Sequence, residues 1–255
     1  MADKVKSLGV KPPSAMAPAN GGGRANENTI LAGLPGKERA LLLAKSEFVD
    51  LPARTILSEM SGVIDFCYFL QSGVVSIIQV MSDGKSVEVG LTGREGFVGL
   101  PVIVGYTTSP TRAIVQIAAT AEKISAQDLK KILGNCPKLK ESLQRYSHEL
   151  SVQAIQIAAC NRLHEVDERL ARWLLMSQDR VGNSTFLLTQ EFISHMLGTR
   201  RASVTVAAGI LQKAGLITYS RGQVTIKDRT GLEDAACECY QGINRKIEIW
   251  HQDSQ

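Results

Sequence analysis

The sequence has few aromatic residues, little excess charge and no long apolar run, and each shortage excludes something. Aromatics make up 5% of 255 residues, so aliphatic side chains must fill the core. The 29 basic and 25 acidic residues leave a formal net charge of +4. That excludes a uniformly basic nucleic-acid coat but allows a local basic face. No apolar stretch approaches the roughly 20 residues a membrane helix needs. The opening segment has lysines but no apolar h-region, so it does not read as a secretory signal. Its Pro, Gly, Ala and Asn content buries too little surface to offset chain entropy, and residues 1–28 are predicted to be a disordered tail.

Cysteine is present but unpatterned. Cys67, Cys136, Cys160, Cys237 and Cys239 are odd in number and include no C-x-x-C. They read as reduced thiols in a cytoplasmic protein. Cys237 and Cys239 form a C-x-C, but no second Cys/His pair stands near in sequence, so no metal site is predicted. There is no nucleophile elbow, P-loop, paired-carboxylate motif or metal-ligand cluster, and the segment "HEVDE" at His164 is not H-E-x-x-H. An enzyme is not expected.

What is present begins with "GKERALLLAKS", a short helix with Leu41, Leu42 and Leu43 as its buried face. Between Phe48 and Ser125 the texture changes to short β-rich runs punctuated by Gly62, Gly73, Asp83-Gly84 and Gly93. Asp83-Gly84 between two alternating runs predicts a hairpin with positive φ at both positions. Regular short strands without a strand–helix–strand rhythm predict a β-barrel or roll. Ser125 then caps "SAQDLKKIL", with Asp128 three residues on, and Pro137 opens a new helix after Asn135-Cys136.

Residues 137–163 hold no proline or glycine and predict one long helix. Leu139, Leu143, Tyr146, Leu150, Gln153, Ile157 and Cys160 recur at alternating steps of four and three, a heptad-like seam. That seam could lie on the chain's own β domain or on a second copy; its length favours the copy. The helix "EVDERLARWLLMSQDR" follows, with Leu170, Trp173 and Leu174 inward and Glu168–Arg172 as a surface pair, ending at Gly182-Asn183.

The run "LTQEFISHMLGTRRASVTVAAGIL" carries two short helices joined at Gly198-Thr199. Thr189 is placed to cap the first, and Glu191 complements its dipole. Gly198 suits the left-handed closing position. The second runs from about Arg200 to Ala214 with Val204, Ala208 and Leu211 inward, followed by a hairpin turning at Arg221-Gly222. Helix, turn, helix and two-stranded wing describe a winged helix-turn-helix. Arg200, Arg201, Lys213, Arg221, Lys227 and Arg229 cluster here, opposed only by Asp228. A helix fits the major groove, and an arginine at its start can donate two bonds to guanine. Arg200 and Arg201 are the candidate readers or clamps, with Thr189, Gln190, Thr199, Ser203 and Thr205 as secondary contacts and Arg221 on backbone phosphate.

This order of parts resembles the family of the cyclic-AMP receptor protein and the fumarate–nitrate regulator, the Crp/Fnr family, over roughly residues 30–230. "LTQEFISHMLGTRRASVTVAAGILQKAGLI" is similar to its DNA-binding signature, and "LQSGVVSIIQVMSDGKSVEVGLTGREGFVG" to its β-roll. The resemblance implies an α+β fold and a homodimeric transcription regulator on two-fold related double-stranded DNA. It also makes RNA polymerase a candidate partner. Where nucleotide-binding members carry Gly-Glu for the ribose, this chain has Gly99-Leu100. Where they carry Arg followed by Ser or Thr for the phosphate, it has Arg112-Ala113. Cyclic AMP is therefore not the expected effector. No cysteine precedes Cys67, so the N-terminal iron–sulfur cluster of other members is not expected either. His148, His164 and His195 fall in helices outside the presumed pocket, so haem ligation is not supported. In the reading helix Arg201 matches the receptor's leading arginine, while Ala202 replaces a Glu and Val206 a second Arg. The expected units are the tail (1–28), a β-roll sensor (29–136), a dimerisation helix (137–164), the winged helix-turn-helix (165–232) and a helical extension (233–255). The alternative is a ligand-binding signalling module whose helical part contacts protein.

Overall fold

The computed structural model describes residues 27–252. The predicted tail therefore lies outside the described residues except for its last two positions. Asn28 is not tail. It is fully buried, and its amide nitrogen donates to the Leu70 and Gly96 carbonyls at 2.9 and 2.8 Å. Its side-chain oxygen caps the four-residue helix α1 (Thr29–Ala32) by accepting from the Ile30 and Leu31 amides. Helix α2 (Gly36–Leu43) follows, with only Leu42 buried; Leu41 and Leu43 are exposed because the helix lies on the surface along one edge.

The β-roll comprises β1 (Ser46–Leu51), β2 (Ile56–Ser58), β3 (Phe66–Val80), β4 (Ser86–Thr92), β5 (Phe97–Val98) and β6 (Arg112–Ser125). Strand order is β1-β6-β3-β4, with β2 on β6 and β5 on β3, every pair antiparallel. Two expected strands are one. Gly73 does not end a strand but lies inside β3, at φ 73° and beside register shifts against β6. A Cβ there would sit 2.4 Å from the Ala118 carbonyl, so glycine lets the long strand bulge and coil. The β3–β4 connection also differs from expectation. Gly84 alone takes positive φ; the Gly84 amide donates to the Met81 carbonyl at 2.9 Å, giving a tight turn closed by a glycine bulge.

Ser125 caps α3 (Ala126–Leu133) by accepting from the Asp128 amide at 3.0 Å. Helix α4 spans Pro137–Leu163, the predicted extent. Its heptad seam, however, faces its own chain. Leu139, Leu143 and Tyr146 are buried in one cluster with Phe69, Phe97 and Ile124 of the roll. The Tyr146 hydroxyl donates to Thr92 Oγ1, and Gln153 accepts from the Leu91 amide. Leu150 packs beside Gly90, Ile157 is buried, and Cys160 lies in a separate cluster with Cys237 and Cys239. The expected pairing of these residues with a second copy is therefore overturned. The apolar stripe is wide enough to satisfy a heptad pattern, but a β-sheet supplies the partner. The opposite stripe, Gln144, His148, Ser151, Ile155, Ala158 and Arg162, recurs at the same steps and is exposed.

Helix α5 (Val166–Val181) starts with a capping box in which Glu168 accepts from the Glu165 amide. Glu168 thus does not pair with Arg172, which is 2% exposed. Then come β7 (Thr185–Leu187), α6 (Gln190–Leu197), α7 (Arg201–Lys213), β8 (Ile217–Ser220), β9 (Gln223–Ile226), α8 (Arg229–Ala235) and α9 (Cys239–Gln252). The strands order as β7-β9-β8. One hydrophobic cluster joins Val74, Ile78 and Leu91 of the roll to Trp173, Leu197, Val204 and Leu211, so the two halves share a core.

Candidate nucleic-acid interface and sensor pocket

Thr189 caps α6, its hydroxyl accepting from the Phe192 amide at 3.1 Å. Gly198 closes the helix at φ 60°, a left-handed position natural to glycine. Arg200 is then the N-cap of α7 and Arg201 its first residue, and both are exposed. Val204, Ala207, Ala208 and Leu211 face inward, which leaves Arg201, Ala202, Thr205 and Val206 on the outer surface. The Thr205 hydroxyl donates to Gln190 Oε1 at 2.8 Å and pins the two helices together. Thr199 and Ser203 are half-buried beside them.

The wing turns on Arg221 and Gly222, at φ 50° and 78°, the pair of left-handed residues a two-residue hairpin needs. Gly222 lies close to the Thr189 methyl, and the Tyr219 hydroxyl donates to the Leu188 carbonyl at 2.7 Å. The fold thereby brings the exposed Arg221 to the amino end of α6, on the side that also bears Thr189. Two of the clustered charges do other work. Arg229 donates to Asp179, Glu233, Gln178 and the Tyr240 hydroxyl, all at 2.7–2.9 Å, and ties α8 to α5 and α9. Asp228 caps α8. Arg229 is a clamp within the fold, so it leaves the basic set.

In the roll a cavity of about 680 Å3 lies between Leu100, Ala113, Val98, Tyr106 and the α4 residues Ser147, Leu150, Ser151 and Ala154. Among the described residues, no charged side chain lines it. Leu100 begins a short 3-10 helix, Leu100–Val104, whose Pro101 and Val104 also line the cavity. Arg112 is outside the lining. Its Nε donates to Glu59 Oε2 at 2.8 Å, so the arginine meets a local carboxylate. Gly99, at φ 121°, backs onto the Cys67 sulfur and does not face the cavity.

The structure also gathers residues that sequence separation hides. Cys160 and His164 at the end of α4 meet Cys237 and Cys239, which follow α8. The signal was available as Cys-x-x-x-His on one helix face and a distant Cys-x-Cys, but about 75 residues separate the pairs. Among the described residues, no helix is long and apolar enough to cross a membrane.

Residues 48–136 match the model of the cyclic nucleotide-binding domain, and residues 168–235 that of the Crp-like helix-turn-helix domain. No curated protein matches the chain. Among solved structures it is similar to a transcriptional regulator assigned to the Crp/Fnr family from Eubacterium rectale, with TM-score 0.65 and 18% identity over 81% of this chain and 96% of that one. FixK2 from Bradyrhizobium japonicum is similar with TM-score 0.64 and 16% identity, over 75% of this chain and 98% of that one. The c-di-GMP-responsive regulator CLP of Xanthomonas campestris gives TM-score 0.63 and 18% identity, over 75% of this chain and 99% of that one. A nucleotide-binding-type roll followed by a Crp-type helix-turn-helix, in this order and on this fold, makes the chain a member of the Crp/Fnr family of DNA-binding transcription regulators.

Proposed function

We propose that the chain works as a homodimer in the cytoplasm, on a duplex whose two half-sites are related by a two-fold axis. The observation that carries this reading is the exposed Arg200–Arg201 pair at the start of α7, with the exposed wing residue Arg221 at the amino end of α6. Arg201 enters the major groove and donates to a guanine edge, while Arg200, Arg221 and Thr189 hold phosphates. The Thr205 hydroxyl donates to Gln190 Oε1, which positions α7 and leaves the Gln190 amide nitrogen as the donor of the pair to DNA. Thr199 and Ser203 contribute at the groove edge.

The self-association face is the exposed α4 stripe through Ser151, Ile155 and Ala158. A dimer on this face sets the recognition helices about one turn of DNA apart, roughly 34 Å. Ser151 both lines the sensor cavity and belongs to the stripe, which supports coupling of an effector to the dimer contact through one helix. Among the described residues, none lining the cavity has a charge to balance a phosphate, and Leu100 cannot accept from a ribose hydroxyl; an unpaired hydroxyl costs about 1–3 kcal/mol. An uncharged, largely apolar effector suits it, and cyclic AMP does not. RNA polymerase is the partner through which a bound dimer would act on transcription.

The test is duplex binding across a salt series with a site selected from a random pool. Neutralised phosphates release counterions, so affinity must fall steeply as salt rises. Binding of no duplex at low salt overturns the proposal in favour of a module acting through protein contacts.

A further inference from the structure

Helix α4 ends on Cys160 and, one turn later, His164, its C-cap. The connection from α8 to α9 brings Cys237 and Cys239 to the same place. One ligand atom from each of the four residues lies within 4.8 Å of all the others. The Sγ atoms of Cys160 and Cys237 are 3.4 Å apart, and Cys239 Sγ is 3.6 Å from His164 Nδ1. On a tetrahedral zinc ion, two sulfurs stand about 3.8 Å apart and a sulfur and a nitrogen about 3.6 Å. An array this tight surrounds one ion, whereas an iron–sulfur cluster spreads its ligands over several irons.

The surroundings fit the same chemistry. All three cysteines are buried, which suits a closed structural site with no open coordination position. Gln156, one turn before Cys160, donates to Cys239 Sγ at 3.1 Å. Glu238 Oε1 is 4.0 Å from His164 Nε2, the ring nitrogen that does not face Cys239. A carboxylate on the far nitrogen orients a metal-bound imidazole. Arg169 and Arg172 of α5 are buried, act electrostatically on Cys160, and each has an Nε without a hydrogen-bond partner. Three thiolates around a divalent cation carry one net negative charge, and buried guanidinium groups offset it.

We propose that Cys160, His164, Cys237 and Cys239 bind a single Zn2+ in a tetrahedral Cys3His site that fastens the start of α9 to the end of α4. Binding displaces the thiol protons to solvent, so uptake acidifies an unbuffered solution. The site joins the helix that leaves the sensor to the segment that follows the DNA-binding wing. It does not depend on how the chain contacts DNA.

The test is the metal content of the full chain, purified in reductant without chelator. One zinc per chain that survives dialysis is expected. Cys239→Ser and His164→Asn should lose it, while Cys136→Ala, outside the cluster, should keep it. Cobalt uptake by the unaltered chain should give the absorption of a tetrahedral thiolate centre, which decides the matter even where a variant fails to fold. A chelator should lower the Tm of the unaltered chain and leave His164→Asn unmoved. A folded, reduced chain that retains no zinc after equilibration with it overturns the proposal. So does zinc retained in full by both ligand variants, or a Cys160–Cys237 disulfide whose reduction restores no metal uptake.

Discussion

At the scale of single residues, Arg201 and Glu88 make opposite kinds of statement. Arg201 is exposed and available to a groove, and Arg201→Ala should weaken binding to a selected operator by about 5- to 150-fold, the equivalent of 1–3 kcal/mol. It should also relax one base position, both read by titrating a panel of single-base operator variants. Unchanged affinity and preference would remove Arg201 as a reader. Glu88 is buried on β4 and accepts from the Trp173 indole at 3.0 Å. Burial pushes its carboxyl from the ordinary 4.5 up to about 8, against the pull of Arg172. Between those two values the folded chain holds a proton that the unfolded chain releases, so stability falls as pH rises through this window. Glu88→Gln should therefore melt higher than the parent above pH 8 and match it near pH 4.5, as thermal scans at the two pH values would show. Sequence reading singled out Arg201 because an exposed basic cluster leaves a charge pattern. It missed Glu88, whose role comes from a tryptophan 85 positions away, and it missed the company of His164, whose neighbour Cys239 is 75 positions away.

Among the elements, the helices were the most legible. Ser125, Thr189 and Gly198 cap where their chemistry dictates, and α4 runs its expected length because proline opens it and no glycine interrupts it. The strands were less so, since a glycine marks a bulge as readily as a turn, and Gly73 was the former. The orientation of α4 was not legible at all. Its two stripes share one period, and only the sheet decides which is covered. This gives a paired prediction. Leu143→Ala should cost about 2–5 kcal/mol of stability, measured by chemical denaturation, because it opens a cavity under the roll. Ile155→Glu, at a side chain 70% exposed, should leave stability nearly unchanged and turn the proposed dimer into a monomer by sedimentation. The reverse outcome would return the dimer contact to the buried seam.

Across the whole molecule, the sensor and the DNA-binding half meet at the turn of the helix-turn-helix. A Cβ on Gly198 would lie 2.9 Å from Val87 Cγ2, and Ser86 Oγ is 3.5 Å from His195 Nδ1. Arg169 donates to the Leu197 carbonyl from below. Gly198→Ala adds a left-handed penalty of about 1 kcal/mol to this collision. It should lower the Tm, and adding Val87→Ala should recover only the part due to crowding. Equal Tm in single and double variants would show that the hairpin does not press on the turn. The order of domains was visible in the sequence because each has its own periodicity. Their contact was not, since it joins a hairpin tip and a shared core whose residues lie far apart in the sequence.

On the proposed reading, the outer face of α7 would offer the groove Ala202 and Val206 beside the Arg201 guanidinium, with few polar hydrogen-bond donors. Aliphatic side chains in a major groove find their best company against the C5-methyl of thymine. An operator chosen by such a surface should pair an isolated guanine with neighbouring thymines, an alphabet of grease with a single polar letter.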